Sequence, residues 1–539
     1  DCRIIIPNME NGSMKHQKMC LLAAAVSTAL FFSGCSGKAV GSNNEFIVGN
    51  GAEPQSLDPA KIQGVPEHRI NLSLFEGLVG YDPKTATAIP GVAESWEISE
   101  DGTVYTFHLR KTEWSDGTPI TAQTFVDSWR RMLAPETAAQ YAYMITMIVK
   151  GAEEYNTGKA DASAVAVKAV DDMTFEVQLT GPAPYALDMM AHYAFNPVPM
   201  HIIDKYGTDW VKPGNLVGNG PFVLESWVPQ EKLTVLPNEK YWNKENVHLS
   251  RITFLPIEDM NTAFEKYKAG EIDWNYGIPT PRLDEVKVLP DYQGDPQNGT
   301  YYYILNVKRP PLNDVRVRKA LAMALNNQEI VDKVTRAGQI ATTSMVPPMA
   351  GYTPVKGSAY DPEGARKLLA EAGYPGGKGF PSITVIYNTN DGHKLIAEYV
   401  QEAWKNALGI SINIQNLEWK TFLDVRHQHD FDISRAGWVG DYQDPNNFLE
   451  LFITGGGNND GEYSSARFDG LVRKAGTMKS GKERFNTLHD AESVLITEDQ
   501  GVLPIYSYVS QHLIDTTKWE GWYPNVSDVH PYVGIKKMK

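Results

Sequence analysis

Two hydrophobic periods interleave along this chain. Thr103 to Arg110 places Tyr105, Phe107 and Leu109 on one face after an Asp101-Gly102 turn, and Phe175, Val177 and Leu179 repeat the pattern after Asp171-Asp172, as do Ile410, Ile412 and Ile414. Period two behind turn residues predicts half-buried strands. Elsewhere the period lengthens: Phe125, Trp129 and Leu133 follow Thr121, and Ile396, Val400, Trp404 and Leu408 keep the spacing of one helix face. Asp361-Pro362-Glu363 supplies an N-cap, a proline at the first helical position and an acid in the first turn; Leu368, Leu369 and Ala372 face inward and Gly373 closes the helix. The prediction is a mixed α/β architecture without solenoid repeats. Gly455-Gly456-Gly457-Asn458-Asn459-Asp460-Gly461 predicts a surface loop, and it lacks the GK[ST] ending of a phosphate-binding loop.

A chain of 539 residues exceeds one hydrophobic core and allows roughly three or four folding units. The first 35 residues stand outside that count. Met14-Lys15-His16-Gln17-Lys18 is basic, Leu21 to Phe32 is apolar but too short to span a bilayer, and Phe32-Ser33-Gly34-Cys35 ends the run with small residues before a cysteine. That anatomy is an export signal. Its last four residues resemble a bacterial lipobox, which makes Cys35 the expected lipid attachment; an ordinary secretory signal with an incidental cysteine is the alternative. Asp1 to Ser13 precede the expected initiator Met14, and Ser36 to Asn44 read as a flexible tether. The other cysteines are Cys2 and Cys20, so no disulfide is expected beyond the anchor. A net charge of -15 argues against nucleic acid and anionic lipid as partners of the folded body.

Catalytic and metal signatures are absent: there is no HExxH, paired CxxC, EF-hand loop or GxSxG elbow. His427-Gln428-His429 could put two imidazoles on one strand face, but a metal needs a third ligand and supporting groups, so neither metal nor cofactor is predicted. Enzyme is the minor reading. Arg435-Ala436-Gly437-Trp438-Val439-Gly440-Asp441-Tyr442 is more informative. It combines a cation, an anion, two aromatics and two glycines, suiting a cradle for a short zwitterionic peptide. Tyr301-Tyr302-Tyr303, Tyr506-Ser507-Tyr508, Trp419 and Trp438 are candidate pocket walls, with core packing as the alternative for each.

Further stretches carry a resemblance. They include Gln55-Ser56-Leu57-Asp58-Pro59, Leu74-Phe75-Glu76-Gly77-Leu78, Gly91-Val92-Ala93-Glu94-Ser95-Trp96 and Trp114-Ser115-Asp116-Gly117-Thr118-Pro119. Thr106-Phe107-His108-Leu109-Arg110, Asn313-Asp314-Val315-Arg316-Val317-Arg318 and Glu418-Trp419-Lys420-Thr421-Phe422 extend it. From about Glu45 onward the chain resembles the oligopeptide-binding proteins of bacterial ABC importers, the peptide/nickel substrate-binding class. The resemblance implies a two-lobed, hinged periplasmic-binding-protein fold with an additional inserted domain. Lobe I would comprise residues 45–75, 200–302 and 508–539, the insertion 76–199 and lobe II 303–507.

The same resemblance implies a ligand lying extended between Gln63-Gly64-Val65 and Gly437-Trp438-Val439, recognised mainly through its backbone. Asp441 matches the position that meets the α-ammonium, with capping of the following turn as the alternative. Arg435, Arg426 and His393 match positions serving the carboxylate at different depths; internal salt bridges are the alternative for Arg426 and His393. Trp419, Tyr141, Tyr301, Tyr302 and Tyr506 complete the expected lining. Gln63 replaces an acid of compared relatives, and Thr335-Arg336 lies near a position that can be lysine. The expected protein is an exported, lipid-anchored monomer that captures short peptides with little side-chain selectivity for an ABC permease and ATPase. Receptors for cell-wall peptides, nickel complexes or haem are alternatives within the class; a peptidase or adhesion lipoprotein lies outside it.

Overall fold

The computed structural model describes residues 44–539; the stretch read as an export signal, with Cys35, lies outside the described residues. Two long antiparallel strands, Tyr292–Leu305 and Val502–Ile514, form the axis of an eleven-stranded sheet. From Val502–Ile514 the sheet continues through Trp274–Tyr276, Glu45–Gly49, Arg251–Leu255, Lys232–Pro237 and Phe222–Val228. From Tyr292–Leu305 it continues through Ile433–Val439, Thr384–Asn388 and Asn413–Leu417. Pairing of the axis slips between Pro296 and Thr300 and again between Tyr301 and Tyr302. Such register breaks bend a sheet, here where it passes from one half of the molecule to the other.

The predicted helices pack as their periods require. Helix Asp391–Leu408 buries Ile396, Val400, Trp404 and Leu408 against Val385, Ile433 and Ile505 of the sheet, and Asn390 caps it by accepting the Gly392 N–H at 2.8 Å. Asp361 caps helix Pro362–Glu371 through the Gly364 N–H at 2.9 Å, and Gly373 beyond its end takes φ +103°. Helix Ala122–Leu133 lays Phe125 and Trp129 on Phe175 of a separate four-stranded sheet built from Ala93–Ile98, Val104–Leu109, Thr174–Gln178 and Val167–Asp171. This smaller sheet falls within the stretch read as an insertion. Its neighbourhood rests on the chain beyond Val439, where Tyr185 stacks on Tyr442 with centroids 4.8 Å apart.

Three local expectations change. Ile410 and Ile412 are buried with Trp404 and Leu408, but the strand begins only at Asn413 because Gly409, at φ +72°, is still closing the preceding helix. His427-Gln428-His429 is a helix end, not a strand: helix Trp419–His427 stops there and His429 takes φ +54°. The two imidazoles therefore diverge, His427 to the Gln63 side chain at 2.6 Å and His429 to the Asp460 carbonyl at 2.9 Å. The glycine-rich run is not a surface loop throughout, since Asn458, Asn459 and Asp460 are buried. Each has a partner that offsets its desolvation: Asn458 bonds Gln63, Asn459 the Tyr463 main chain, and Asp460 Arg426.

Candidate functional site

The free edge of one strand sets the geometry. Ile433–Val439 pairs along its whole length with the axis, from Leu305↔Ile433 to Gly299↔Val439. On its other side it meets Thr384–Asn388 only at Ile433 and Ser434. From Arg435 to Val439 that edge has no strand partner among the described residues, and a slot runs along it. The slot comprises two adjoining chambers of about 270 and 100 Å³ that share Gly64, Val65, Gln297, Trp419, Gly437 and Val439. Unpaired main-chain groups on an enclosed edge suit an added extended chain.

Two glycines let the walls close. A Cβ on Gly437 would lie 2.1 Å from the Tyr508 hydroxyl. Gly64, at φ +103°, faces the Trp419 indole, whose Cζ2 would be 2.7 Å from an added Cβ. The segment expected to run strand-like opposite the site strand ends sooner than anticipated: Val65 is the first residue of helix Val65–Leu74, because Pro66 favours a helix start. Only Gln63 and Gly64 are non-helical there. Side chains join the walls, with Gln63 bonding His427 at 2.6 Å and Asn458 at 2.7 Å, and Glu67 accepting the Trp419 indole N–H at 3.2 Å. Burial pushes the Glu67 pKa up to about 7.

At one end, in the smaller chamber, Asp441 stands in a nearly dry setting. Its N–H donates to Asn447 Oδ1 at 3.1 Å, Oδ2 has no partner, and Oδ1 lies 3.5 Å from His192 Nε2. The turn that follows is capped by Asp444, which accepts the Asn446 N–H, so capping does not occupy Asp441. His192 Nδ1 accepts the Ala194 N–H at 3.2 Å, leaving the ring proton on Nε2, and burial with His68 nearby holds its pKa well below the usual value. A neutral imidazole is no counter-ion. Burial accordingly pushes the Asp441 pKa up to about 8. Tyr141 stacks on His192 at 4.7 Å and, with Trp438 and Tyr302, walls this chamber.

The larger chamber ends on Arg435. Its guanidinium donates to Asn388 Oδ1 at 3.2 Å and the Tyr508 hydroxyl at 2.9 Å, leaves Nε unpartnered, and has no carboxylate partner among the described residues. Tyr301 supports it from below, its ring 5.0 Å from the guanidinium and stacked on Tyr506 at 4.8 Å; Tyr301 belongs to the core and Tyr506 to the lining. His393 lines the same chamber with its pKa well below the usual value, from burial and then Arg435, and so stands neutral. Arg426 differs from expectation. Its Nε donates to Asp460 at 2.9 Å within a buried ion pair, so its charge is already matched and the internal salt bridge describes it.

Several slot residues carried no sequence signal. His68, His192 and Tyr193 enclose Asp441 from more than 240 positions away, a proximity that no local pattern encodes. Asp528 in the slot wall accepts His512 Nε2 at 2.7 Å and His530 Nε2 at 3.0 Å. Burial opposes its ionisation, but the two imidazoles outweigh it and hold its pKa far below the carboxylate range. These three residues bring metal-type ligand atoms within 4.8 Å of one another. However, Trp274 donates to His512 Nδ1 at 3.1 Å, which fixes the proton on Nε2 and leaves no lone pair there for a metal. The trio is a hydrogen-bonded cluster.

An enclosed slot with an unmatched acid at one end and an unmatched cation at the other defines a solute-binding protein. Residues 87–460 match the family described as bacterial extracellular solute-binding proteins, family 5 Middle. The periplasmic oligopeptide-binding protein OppA of Salmonella typhimurium is 38% identical over 525 residues, covering 94% of this chain and 96% of that protein. The Haemophilus influenzae OppA complex with RPPGFSPFR superposes with a TM-score of 0.87 at 34% identity, covering 92% of this chain and 99% of that one. The chain belongs to the family 5 bacterial extracellular solute-binding proteins, a family of substrate-binding proteins. A further comparison speaks to conformation. The Escherichia coli murein tripeptide-binding protein MppA superposes with a TM-score of 0.88 at 37% identity, and its unliganded open form with 0.62 at 36%, each covering 92% of this chain and 98% of that one. The structure described is the shut arrangement, far from that open form.

Proposed function

We propose that this protein is an extracytoplasmic receptor that captures short peptides with low side-chain selectivity and delivers them to an ABC importer, without catalysing a reaction. The carrying observation is the pair of unmatched buried charges, Asp441 and Arg435, at opposite ends of a slot edged by free strand backbone. The names of the oligopeptide-binding relatives support this reading. Asp441 takes the α-ammonium and Arg435 the terminal carboxylate, while main-chain groups of Gly437 to Val439 pair with the peptide backbone. The six steps from Arg435 to Asp441 span at most about 20 Å when extended, which less the reach of both side chains accommodates a peptide of about three to five residues.

Closure brings lobe I (45–75, 200–302, 508–539), with its insertion 76–199, against lobe II (303–507). The body is read as monomeric and as tethered through lipid on Cys35, the tether supported by the signal anatomy alone. Calorimetry with Ala-Ala-Ala, its N-acetyl form and its C-terminal amide tests the reading. Tight binding of the free tripeptide with at least about a hundredfold loss for each blocked form is expected; equal affinity for all three would refute it. Murein tripeptide belongs in the same titration, because a murein peptide-binding protein is 37% identical over 94% of this chain.

A further inference from the structure

Behind the acidic end of the slot lies another chamber, of about 350 Å³. His68 and Tyr193 belong to the walls of both, while the outer rim of the chamber reaches the surface at Pro83, Ile89 and Pro90. Most of its wall is aromatic or aliphatic, including Leu72, Phe75, Val79 and Trp242. Three wall side chains that are 5% exposed or less carry a polar atom with no partner: Asn71 Nδ2 and the hydroxyls of Tyr81 and Tyr532. Asn71 Oδ1 already accepts from Asn196 at 2.9 Å, so its free group is a donor, and both phenols can donate as well.

Charge decides the class of guest. The one carboxyl in the wall, Glu76, is taken up by the Tyr241 hydroxyl at 2.5 Å and the Trp242 indole N–H at 2.6 Å, and no lysine or arginine lines the chamber. An anion inside would lack a counter-ion and lose its hydration, and a cation would meet only a carboxyl whose two oxygens are already held by Tyr241 and Trp242. Water alone would leave a largely apolar wall wetted. A dry apolar cavity of about 150 Å³ admits one benzene ring, so this chamber has room for roughly two rings.

We propose that this chamber is a second binding site, distinct from the peptide slot, for a neutral molecule of one or two rings whose hydroxyl or carbonyl oxygen meets Asn71, Tyr81 and Tyr532. The inference stands apart from the peptide-receptor reading, since its walls include neither Asp441 nor Arg435. The test is a titration of receptor presaturated with tripeptide, using 2-naphthol as probe. One equivalent is expected to bind with a Kd below about 1 mM. Gly80→Phe should then weaken 2-naphthol by at least about tenfold while leaving tripeptide affinity within about twofold. Gly80 lines the chamber and a Cβ there meets no atom within 4 Å, so the added ring meets no backbone clash. Leu72→Trp offers an independent filling variant, and circular dichroism verifies the fold of each. Absence of binding to the loaded receptor, competition between 2-naphthol and tripeptide, or full 2-naphthol affinity in both folded filling variants would overturn the proposal. If the receptor fails to bind tripeptide at all, 2-naphthol binding to it remains measurable, which separates the two readings.

Discussion

Replacing Asp441 by asparagine removes one charge and keeps the shape. In the empty, shut receptor burial raises the Asp441 pKa to about 8, so at pH 7 about nine in ten molecules hold the proton. A peptide ammonium stabilises the ionised form, so binding at pH 7 should release close to one proton. Affinity then rises by roughly tenfold per pH unit between the bound and empty pKa values, and flattens as pH approaches about 8, where the peptide amine itself begins to titrate. Asp441→Asn should weaken binding by about 3–5 kcal/mol, because the ammonium is left buried against a neutral amide. Both the proton release and the pH slope should vanish with it. Stability of the empty protein moves the other way. The folded pKa lies above the unfolded carboxylate value, so the shut state loses stability, by about 1.4 kcal/mol per unit, as pH rises from about 4 to 8. Asp441→Asn removes that loss and should melt higher at pH 8. Calorimetry in buffers of different ionisation enthalpy reads the released protons, and thermal melts read the stability. A receptor that takes tripeptide at pH 7 with no proton release, or an asparagine variant of unchanged affinity, would refute the assignment.

Other perturbations probe the remaining parts of the slot. Arg435→Met should cost the free tripeptide at least about a hundredfold while changing the C-terminal amide by much less, a contrast that calorimetry resolves. Gly437→Ala drives a methyl into the Tyr508 hydroxyl, which also holds Arg435; it should lower tripeptide affinity by about tenfold or more, with Gly437→Ala/Tyr508→Phe recovering little because the Arg435 contact is still lost. Arg426→Met leaves Asp460 charged and buried, so denaturant melts should show a loss of about 3–5 kcal/mol, largely restored by a second change of Asp460 to asparagine. Gln63→Ala removes bonds to both His427 and Asn458, and small-angle scattering of the peptide-free protein should show an increased radius.

Legibility followed the distance over which each feature is decided. The helix at Pro362–Glu371 was readable to its cap, since Asp361, Pro362 and Gly373 act within a few residues. Arg435, Gly437 and Asp441 were readable because one strand carries the first two past the slot and Asp441 follows two residues beyond its end. The state of those charges was not readable: Asp441 owes its raised pKa to burial, in a chamber walled by His68, His192, Tyr141 and Tyr193 from other parts of the chain. Arg426 looked like a free cation for the same reason, its partner Asp460 sitting in a glycine-rich run whose polarity signalled exposure. Val65 carried a local cue, Pro66 beside it, which a resemblance-based expectation of extended backbone overrode.

The unmatched charges explain why the empty shut slot is only marginally favoured until a peptide loads it. Shutting an empty slot sets Gln63–His427, Gln63–Asn458 and Glu67–Trp419 in place, and net gains of about 1 kcal/mol per hydrogen bond favour closure. Against them stand an acid that must take up a proton and a guanidinium deprived of part of its water, each penalty on the scale of several kcal/mol for a buried, unpaired group. The two sets are of similar size, so the empty shut state holds by a small margin, with Asp441 protonated at pH 7. A peptide that pairs both ends cancels the penalties and adds backbone bonds along Gly437 to Val439. The resulting swing, several kcal/mol, is on the scale of the roughly 5.5 kcal/mol that turns a 1:99 equilibrium into 99:1. A ligand missing either terminus relieves only one penalty. Selectivity for zwitterions and selectivity for the shut state are, in this slot, the same free-energy difference.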